Sequence, residues 1–337
     1  MPTIREIAAA AGVSTATVSR VINGGVGVEP QLANRVQKVI DDLGYTPNLV
    51  ARGLRTQATK VIALVIADIE NPFFTSVCRG VEDVARRHNY SVMLCNTDED
   101  VTKEAGYLEI LAAQSVAGVI ISAASNHSDL GPVTAKGISV VAIGRRMGPE
   151  IDCVRSDSYA GARNATRHLL EYGAHRVACI TGPHGVATAE ERLEGYREAV
   201  EQARLEVDPD LVEYANFRED GSYRATRRML ALDNPPDAIF VANNRMVVGA
   251  LRACREAGVN VPGQVSLVGF DDLPWADLTT PSITTLRQPP YEIGAAAARL
   301  LVERIGGTTG PGREVVFQPE LVVRGSSIKR PAAGFGS

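Results

Sequence analysis

The chain has 337 residues, more than one typical domain holds, and therefore predicts two or three compact units, each with its own core. Apolar residues make up 45% and charged residues 22% of the chain, a balance that excludes a largely disordered protein. The formal net charge is −4, but residues 1–60 carry +3 and the other 277 residues carry −7. This asymmetry places any polyanion-binding surface near the N-terminus.

Several function classes lack their sequence signals. No apolar run approaches the roughly 20 residues that span a bilayer, and the N-terminus does not read as a secretory signal, so we expect a cytoplasmic protein without a membrane partner. The five cysteines never form a C-x-x-C pair, which predicts reduced thiols. The chain has no H-E-x-x-H, phosphate-loop or G-x-S-x-G motif. We therefore predict no metal ligand, cofactor or catalytic residue.

Two short helices are predicted first, separated by a tight turn. Apolar residues recur at helical spacing over residues 4–11, Gly12 marks the turn, and Ser14 is suited to cap the second helix. On that helix Val18 and its apolar neighbours share one side, whereas small polar residues and Arg20 fall on the other. Such an outer face can enter the major groove of DNA without obstruction.

A third helix is predicted to close a small core with the first two. Pro30 stands in its first turn and Gly44 ends it, and its apolar stripe consists of Leu32, Val36, Val39 and Ile40. Periodicity alone leaves a second interpretation open, in which the three helices are only a cap on the larger domain.

Two motifs are more specific. The segments AGVSTATVSRVING (11–24) and YTPNLVARGLRT (45–56) resemble the DNA-binding head and the hinge of LacI-family transcription regulators. The resemblance implies that Thr15, Ala16 and Arg20 read base edges, with Arg20 suited to a bidentate guanine contact. It also implies phosphate contacts, which set register rather than sequence, for Thr3, Ser14, Thr17, Ser19, Asn23 and Tyr45.

The second motif implies a hinge that folds on DNA. In the family this segment becomes a helix in the minor groove, where a leucine wedges open a base step, and Leu54 matches that leucine. Gly53 disfavours helix before binding, and Arg52 and Arg55 add positive charge. Without the flanking motif, Leu54 would be read as an ordinary linker residue.

Beyond the hinge, short apolar runs alternate with amphipathic helices. This alternation predicts an α/β fold with parallel sheets covered on both faces. It resembles the two-lobed periplasmic-binding-protein fold of the family's effector domain, in which the chain crosses between lobes three times. The apolar runs span residues 61–68, 91–96, 118–122, 139–144, 177–181, 238–242 and 265–270.

The predicted domain order follows from these segments. The first lobe is expected to hold residues 60–160 and 291–318, and the residues between them form the second lobe. The complete division is a helix-turn-helix domain at 1–46, a hinge and linker at 47–59, a two-lobed effector and dimerisation domain at 60–330, and a flexible tail at 331–337.

Ligands of open α/β sheets bind beyond the carboxyl ends of the strands. The residues that follow the predicted strands supply aromatic faces, donors and acceptors, as a sugar requires. By their match to family positions they are predicted to bind the effector. They are Asn71, Phe73, Phe74, Arg145, Thr188, Arg192, Phe217, Asn243, Asp271 and Gln288.

Each of these residues also has an ordinary interpretation: the phenylalanines as core, the arginines as surface ion pairs, and Asn71 and Asn243 as helix caps. The set most resembles ribose-type regulators, which carry an aspartate where this chain has Gly144. One hydroxyl acceptor is therefore missing, which argues against unmodified ribose and leaves another pentose, a hexose or a nucleoside-like ligand open. Trp275 is expected at the pocket mouth, between the lobes or at a dimer surface.

The resemblance as a whole implies a homodimeric repressor. Two reading heads would bind a pseudo-palindromic operator, and a small effector in the cleft would change operator affinity. Release of DNA by the effector is the favoured direction. The alternatives are a sugar- or nucleoside-binding protein without a regulatory role, such as a transport receptor, and a sugar-acting enzyme.

Overall fold

The computed structural model describes residues 2–22, 28–44 and 59–328. Contacts between Cα atoms divide the chain into Met1–Thr59 and Lys60–Ser337.

The N-terminal unit contains three helices, α1 (Ile4–Ala11), α2 (Thr15–Ile22) and α3 (Pro30–Asp42). Reciprocal bonds between Thr3 and Glu6 form a capping box at the start of α1, and Gly12 ends that helix with a φ of 65°, which glycine adopts at little cost. Pro30 occupies the first turn of α3. The apolar sides of the three helices meet in one core of Ile7, Ala8, Ala11, Val18, Val36 and Ile40.

The larger unit contains two six-stranded sheets. The first has the strand order β11-β5-β4-β3-β1-β2 and is entirely parallel. It consists of β1 (Val61–Ile66), β2 (Ser91–Asn96), β3 (Gly118–Ile121), β4 (Ser139–Ile143), β5 (Asp152–Ser156) and β11 (Glu314–Phe317).

The second sheet has the order β12-β10-β9-β8-β6-β7, and only the β10–β12 pair is antiparallel. It consists of β6 (Val177–Thr181), β7 (Val212–Tyr214), β8 (Ala238–Val241), β9 (Ser266–Phe270), β10 (Thr284–Arg287) and β12 (Glu320–Val322). The predicted fold class is confirmed, and all seven apolar runs form strands.

Helices cover these sheets. Alternate residues of β1 enter two different cores, with Ile62 and Leu64 on one face and Ala63 and Val65 on the other, so the first sheet is buried on both sides. The helices of this unit are α4 (Pro72–Arg87), α5 (Val101–Ala113), α6 (Gly131–Thr134), α7 (Ser158–Glu171), α8 (Ala187–Gln202), α9 (Glu219–Leu230), α10 (Asn244–Glu256) and α11 (Pro290–Ile305).

The chain passes between the two lobes three times. The crossings lie between β5 and α7, between β10 and α11, and between β11 and β12, so α11 returns to pack against α4 and the first sheet. The carboxyl ends of strands from both sheets therefore meet at one cleft.

Three other sequence expectations concern this unit. All five cysteines are free thiols, and burial raises the pKa of Cys254 to about 11 and that of Cys153 to about 12. Trp275 packs against the core of the second lobe. In the described part of the chain, the longest helices have 16 residues and none has the length and apolar character of a membrane span.

Candidate functional site

The residues predicted to read base edges lie on the exposed side of α2. Thr15, Ala16 and Arg20 are all exposed, whereas Val18 on the opposite side is buried. Ala16 and Arg20 are four positions apart and so lie one above the other on the helix surface. This side of α2 carries a guanidinium, a hydroxyl and a methyl group that stand clear of the core.

The predicted phosphate-contacting residues also hold the helix ends. The Thr3 hydroxyl accepts a hydrogen bond from the Glu6 amide, and the Ser14 hydroxyl accepts one from the Thr17 amide at 3.1 Å. Ser14 and Thr17 share a further hydrogen bond between their hydroxyls at 2.9 Å. Ser19 lies half-buried on α2. The remaining predicted DNA contacts lie outside the described residues: Asn23, Tyr45, Arg52, Leu54 and Arg55.

All ten predicted effector-binding residues line one cavity between the lobes. The cavity has an empty volume of about 690 Å³, part of which is open to solvent. The first lobe contributes Asn71, Phe73, Phe74 and Arg145, and the second contributes Thr188, Arg192, Phe217, Asn243, Asp271 and Gln288.

The two asparagines both cap helices and line the cavity. Asn71 Oδ1 accepts from the Phe73 amide at 2.9 Å and from Asn244 Nδ2 at 2.9 Å. Asn243 Oδ1 accepts from two amides at the start of α10. Because each carbonyl oxygen already has two donors, each asparagine has its Nδ2 amide left for a ligand. Toward the cavity, both asparagines therefore present an amide donor.

Arg192 is held in place by the second lobe. It is buried, its Nη1 donates to the Ala242 carbonyl at 2.5 Å, and its guanidinium lies 3.7 Å from the centre of the Phe270 ring. Burial lowers its pKa, and the nearby Asp271 carboxylate acts in the opposite direction. The ordinary interpretation of this arginine as a surface ion pair is therefore wrong.

Asp271 is the matching acceptor. Burial raises its pKa, while Arg192 and a hydrogen bond from Gln288 Nε2 favour the charged form. Since Gln288 uses one N–H of its amide on Asp271, its Oε1 can accept from a ligand and its second N–H can still donate. Asp271 also has a φ of 68°, a left-handed conformation that is uncommon outside glycine.

Aromatic rings line both sides of the cavity. Phe73 and Phe74 pack edge to face with ring centres 5.1 Å apart and also contact the core of the first lobe. Phe217, with a φ of 56°, lies against Gly182 so closely that a Cβ at residue 182 would come within 2.1 Å of its ring. The position of this ring therefore depends on a glycine.

Sequence reasoning missed seven lining residues. Gly144 was noted only for the side chain it lacks; its φ is 83°, and a Cβ there would touch only Thr188, at 4.0 Å. Glu99, Ser122 and Ser158 follow β2, β3 and β5, so the strand-end rule applied to these three strands would find them. The missed residues are Asp68, Glu99, Ser122, Ile143, Gly144, Ser156 and Ser158.

Some of the lining groups lack partners. Arg145 is buried, yet its Nε and Nη1 atoms have no hydrogen-bond partner within the described residues, and neither has Ser156 Oγ. Burial lowers the pKa of Arg145. Buried polar groups are nearly always hydrogen-bonded in native proteins. These atoms are therefore suited to a polar ligand.

Hydrogen bonds and ion pairs join the lobes at several places across the cleft. Arg245 Nη1, from the second lobe, donates to Asp68 Oδ2 at 2.9 Å and to Glu70 Oε2 at 2.6 Å. Asn126, from the first lobe, donates to the Gly185 carbonyl at 2.8 Å and accepts from the Ala187 amide at 3.1 Å. The cavity is therefore enclosed by a closed pair of lobes.

Comparison with known proteins identifies the family. Residues 3–48 match the family described as bacterial regulatory proteins, lacI family, and residues 166–327 match a periplasmic binding protein-like domain. The chain is 40% identical over 305 residues to a ribose operon repressor of Halalkalibacterium halodurans, covering 90% of this chain and 91% of that protein. The chain belongs to the LacI family.

Solved structures of LacI-family proteins agree with the fold. The transcriptional regulator CelR in complex with cellobiose is 34% identical, with a TM-score of 0.74 over 97% of this chain and 100% of that one. A LacI-family regulator of Enterococcus faecium with bound ribose is 27% identical, with a TM-score of 0.72 over 80% of this chain and all of that one. As predicted, the chain is a DNA-binding transcription regulator of the LacI family and not an enzyme.

Proposed function

We propose that this LacI-family regulator is a repressor whose operator affinity is controlled by a neutral sugar bound between its lobes. The observation that carries the proposal is the cavity, where ten predicted residues from both lobes meet with rings, donors and acceptors. A ligand that contacts both lobes stabilises their closed arrangement, because it gains contacts that the open form cannot supply.

The charges of the cavity support a neutral ligand. Two guanidiniums, of Arg145 and Arg192, line it together with the carboxylates of Glu99 and Asp271, and the remaining carboxylate, Asp68, is paired with Arg245. A site built for a phosphate or carboxylate would carry an excess of positive charge. The relatives support sugars as the class, since one is named for ribose and others hold cellobiose or ribose.

At the other end of the chain, we assign base reading to Thr15, Ala16 and Arg20, and phosphate contacts to Thr3, Ser14, Thr17, Ser19, Asn23 and Tyr45. Leu54 serves as the minor-groove wedge, with Arg52 and Arg55 beside it. The proposed domains are a reading head at 1–46, a hinge at 47–59, an effector domain at 60–330 and a tail at 331–337.

We further propose a homodimer that acts in the cytoplasm on a pseudo-palindromic operator. The dimer is supported by the edge strand β2 of the first sheet, where Leu94 is exposed. Leu94 lines a surface hollow between β2 and α4 together with Val92, Cys78 and Leu64. Sedimentation equilibrium of the full chain is expected to give twice the 35.9 kDa of one copy. A species of one copy at micromolar concentration would contradict the dimer.

The DNA half of the proposal is tested by selecting duplexes from a randomised pool with the full-length protein. The selected sequence should be pseudo-palindromic. Arg20→Ala should then lose about 5- to 150-fold in affinity for it, the equivalent of about 1–3 kcal/mol for one bidentate base contact, and should relax specificity at one base pair of each half-site. Arg35→Ala, an exposed arginine of α3, is the matched control.

The effector half is tested on the selected duplex with D-ribose, D-xylose, D-glucose and cellobiose. At least one sugar should weaken DNA binding, because a repressor of genes for using a sugar must leave the operator when that sugar is present. Tighter binding in the presence of sugar would reverse the proposed direction. No enriched duplex, or no response to any of the four sugars, would contradict the proposal itself.

A further inference from the structure

Glu99 lies in the cavity without a structural task. It follows β2, at the end of the strand next to β1, and its Oε2 atom is inaccessible to solvent and has no hydrogen-bond partner within the described residues. An unpaired buried carboxylate oxygen is costly, because the charged group loses its hydration without compensation. Burial accordingly raises the pKa of Glu99, although Arg145 favours its charged form.

The two neighbouring acidic residues do have structural tasks. Asp98 accepts hydrogen bonds from Asn96 Nδ2 at 2.8 Å and from Lys103 Nζ at 2.6 Å. Asp100 caps α5 by accepting from the amides of Thr102 and Lys103. The loop is therefore fixed on both sides of Glu99, and the one acidic residue without such a bond is the one that lines the cavity.

The backbone of this loop is also held in an uncommon conformation. Asp98 has a φ of 56° and Glu99 has a φ of 63°. Both values lie in the left-handed region, which residues other than glycine adopt uncommonly. Such residues are strained and persist where the surrounding structure over-determines them, often at ligand sites. The local bonds of Asp98 supply that constraint, and they turn Glu99 toward the cavity.

Glu99 also supplies what Gly144 lacks. The residue immediately before Arg145 is a glycine, which supplies no side-chain acceptor there. Both Glu99 and the unpaired Nε and Nη1 atoms of Arg145 line the same cavity, and their charges interact. A carboxylate acceptor is therefore present beside the arginine, although it comes from a different strand.

We infer that Glu99 is a specificity-determining residue that accepts a hydrogen bond from a hydroxyl of a neutral polyhydroxylated effector, beside the hydroxyl that Arg145 binds. The inference rests on the proposed function, since it names the ligand class of the same cavity. It excludes phosphorylated sugars as the preferred effector, because Glu99 would repel a phosphate placed against Arg145.

The test is calorimetric titration of the full-length protein with D-ribose, D-xylose, D-glucose, cellobiose and D-ribose 5-phosphate. Glu99→Gln should weaken binding of the preferred neutral sugar by about 10- to 100-fold, the range for one hydrogen bond to a charged group. Glu109→Gln, an exposed glutamate of the following helix, should bind as the unmodified protein does.

Thermal unfolding without sugar separates a binding role from a structural one. A glutamate that only held the loop would lower the melting temperature when replaced, whereas loss of an unpaired buried carboxylate should leave it unchanged or raise it. Monodeoxy analogues of the preferred sugar give a second readout. For one of them, the loss of affinity should be smaller in Glu99→Gln than in the unmodified protein, because the amide oxygen of glutamine accepts only a weaker, uncharged hydrogen bond from the same hydroxyl.

The outcomes are distinct. If the unmodified protein binds none of the five compounds, the proposed sugar function fails, and the inference fails with it. If it binds a neutral sugar and Glu99→Gln binds equally well, only the inference is overturned. Tighter binding of D-ribose 5-phosphate than of D-ribose would likewise overturn the neutral ligand class.

Discussion

The ion pair across the cleft offers a way to perturb effector binding without replacing a residue that lines the cavity. Arg245 belongs to α10 in the second lobe, and its partners Asp68 and Glu70 belong to the first. Arg245 does not itself line the cavity. Replacing it by glutamine should therefore act through the equilibrium between open and closed lobes.

The size of the effect follows from exposure. The side chains of Arg245 and Asp68 are only 18% and 11% exposed, so their hydrogen bond at 2.9 Å should contribute about 1.5–3 kcal/mol, as bonds to charged groups do. Glu70 is 68% exposed, and its share should be at most about 1 kcal/mol. If this energy is available only in the closed form, Arg245→Gln should weaken effector binding by about 10- to 100-fold and Glu70→Gln by less than about fivefold.

Calorimetric titration with the sugars that bind the unmodified protein measures both variants. Arg245→Gln should weaken all of them by the same factor, because it removes no ligand contact, whereas a cavity variant should discriminate among them. Arg252→Gln is the control, since this arginine of the same helix is 64% exposed and pairs only with Glu256 one turn away. Unchanged affinity in Arg245→Gln would refute the idea that this ion pair stabilises closure.

Two further predictions concern stability and cavity shape. Asp152→Asn should destabilise the effector domain by about 3–5 kcal/mol in urea denaturation, because Asp152 is fully buried between Arg304 and Arg313. Burial alone would raise the pKa of Asp152, but these arginines lower it, so its stabilising contribution is present above the unfolded-state pKa of about 3.9 and is lost as pH falls through the folded value. Gly182→Ala should displace the Phe217 ring and weaken sugar binding measured by calorimetry, with a packing cost of about 1–3 kcal/mol.

Each of these predictions has a control in the same domain. Asp277→Asn removes an exposed carboxylate and should leave both stability and its pH dependence below pH 4 unchanged. Gly106→Ala adds a Cβ that meets no atom within 4 Å and should leave sugar affinity unchanged. An acid unfolding curve of Asp152→Asn parallel to that of the unmodified protein would contradict the role given to Asp152. Full sugar affinity in Gly182→Ala would contradict the role of the glycine.

The fold could be predicted because its strong signals are local. Buried strands such as β8, and β1 beyond its first residue, are continuous apolar runs. All seven predicted apolar runs form strands. The other five strands are short or carry polar residues, as in β5 with Asp152 and Ser156, and their pairing depends on partners distant in the sequence. Local periodicity does not contain that information.

The cavity was predictable to a similar extent. A rule about strand ends and a family resemblance brought ten residues to one place, but neither could tell which atom of an amide faces the ligand. Asn243 offers a donor because its oxygen caps α10, whereas Gln288 keeps its oxygen and one N–H because the other N–H bonds Asp271. These assignments follow from which groups meet in space.

The lining loops combine uncommon backbone conformations with polar atoms that a ligand could bond. Glu99, Phe217 and Asp271 all line the cavity with φ values between 56° and 68°, and each such residue costs of order 1–3 kcal/mol. The closed cavity also holds unpaired charged groups on Arg145 and Glu99, whose dehydration is offset only when a polar ligand bonds them. Ligand binding and closure are therefore coupled at the cavity itself. Because linkage is reciprocal, whatever factor the effector imposes on DNA affinity must be imposed by operator DNA on effector affinity.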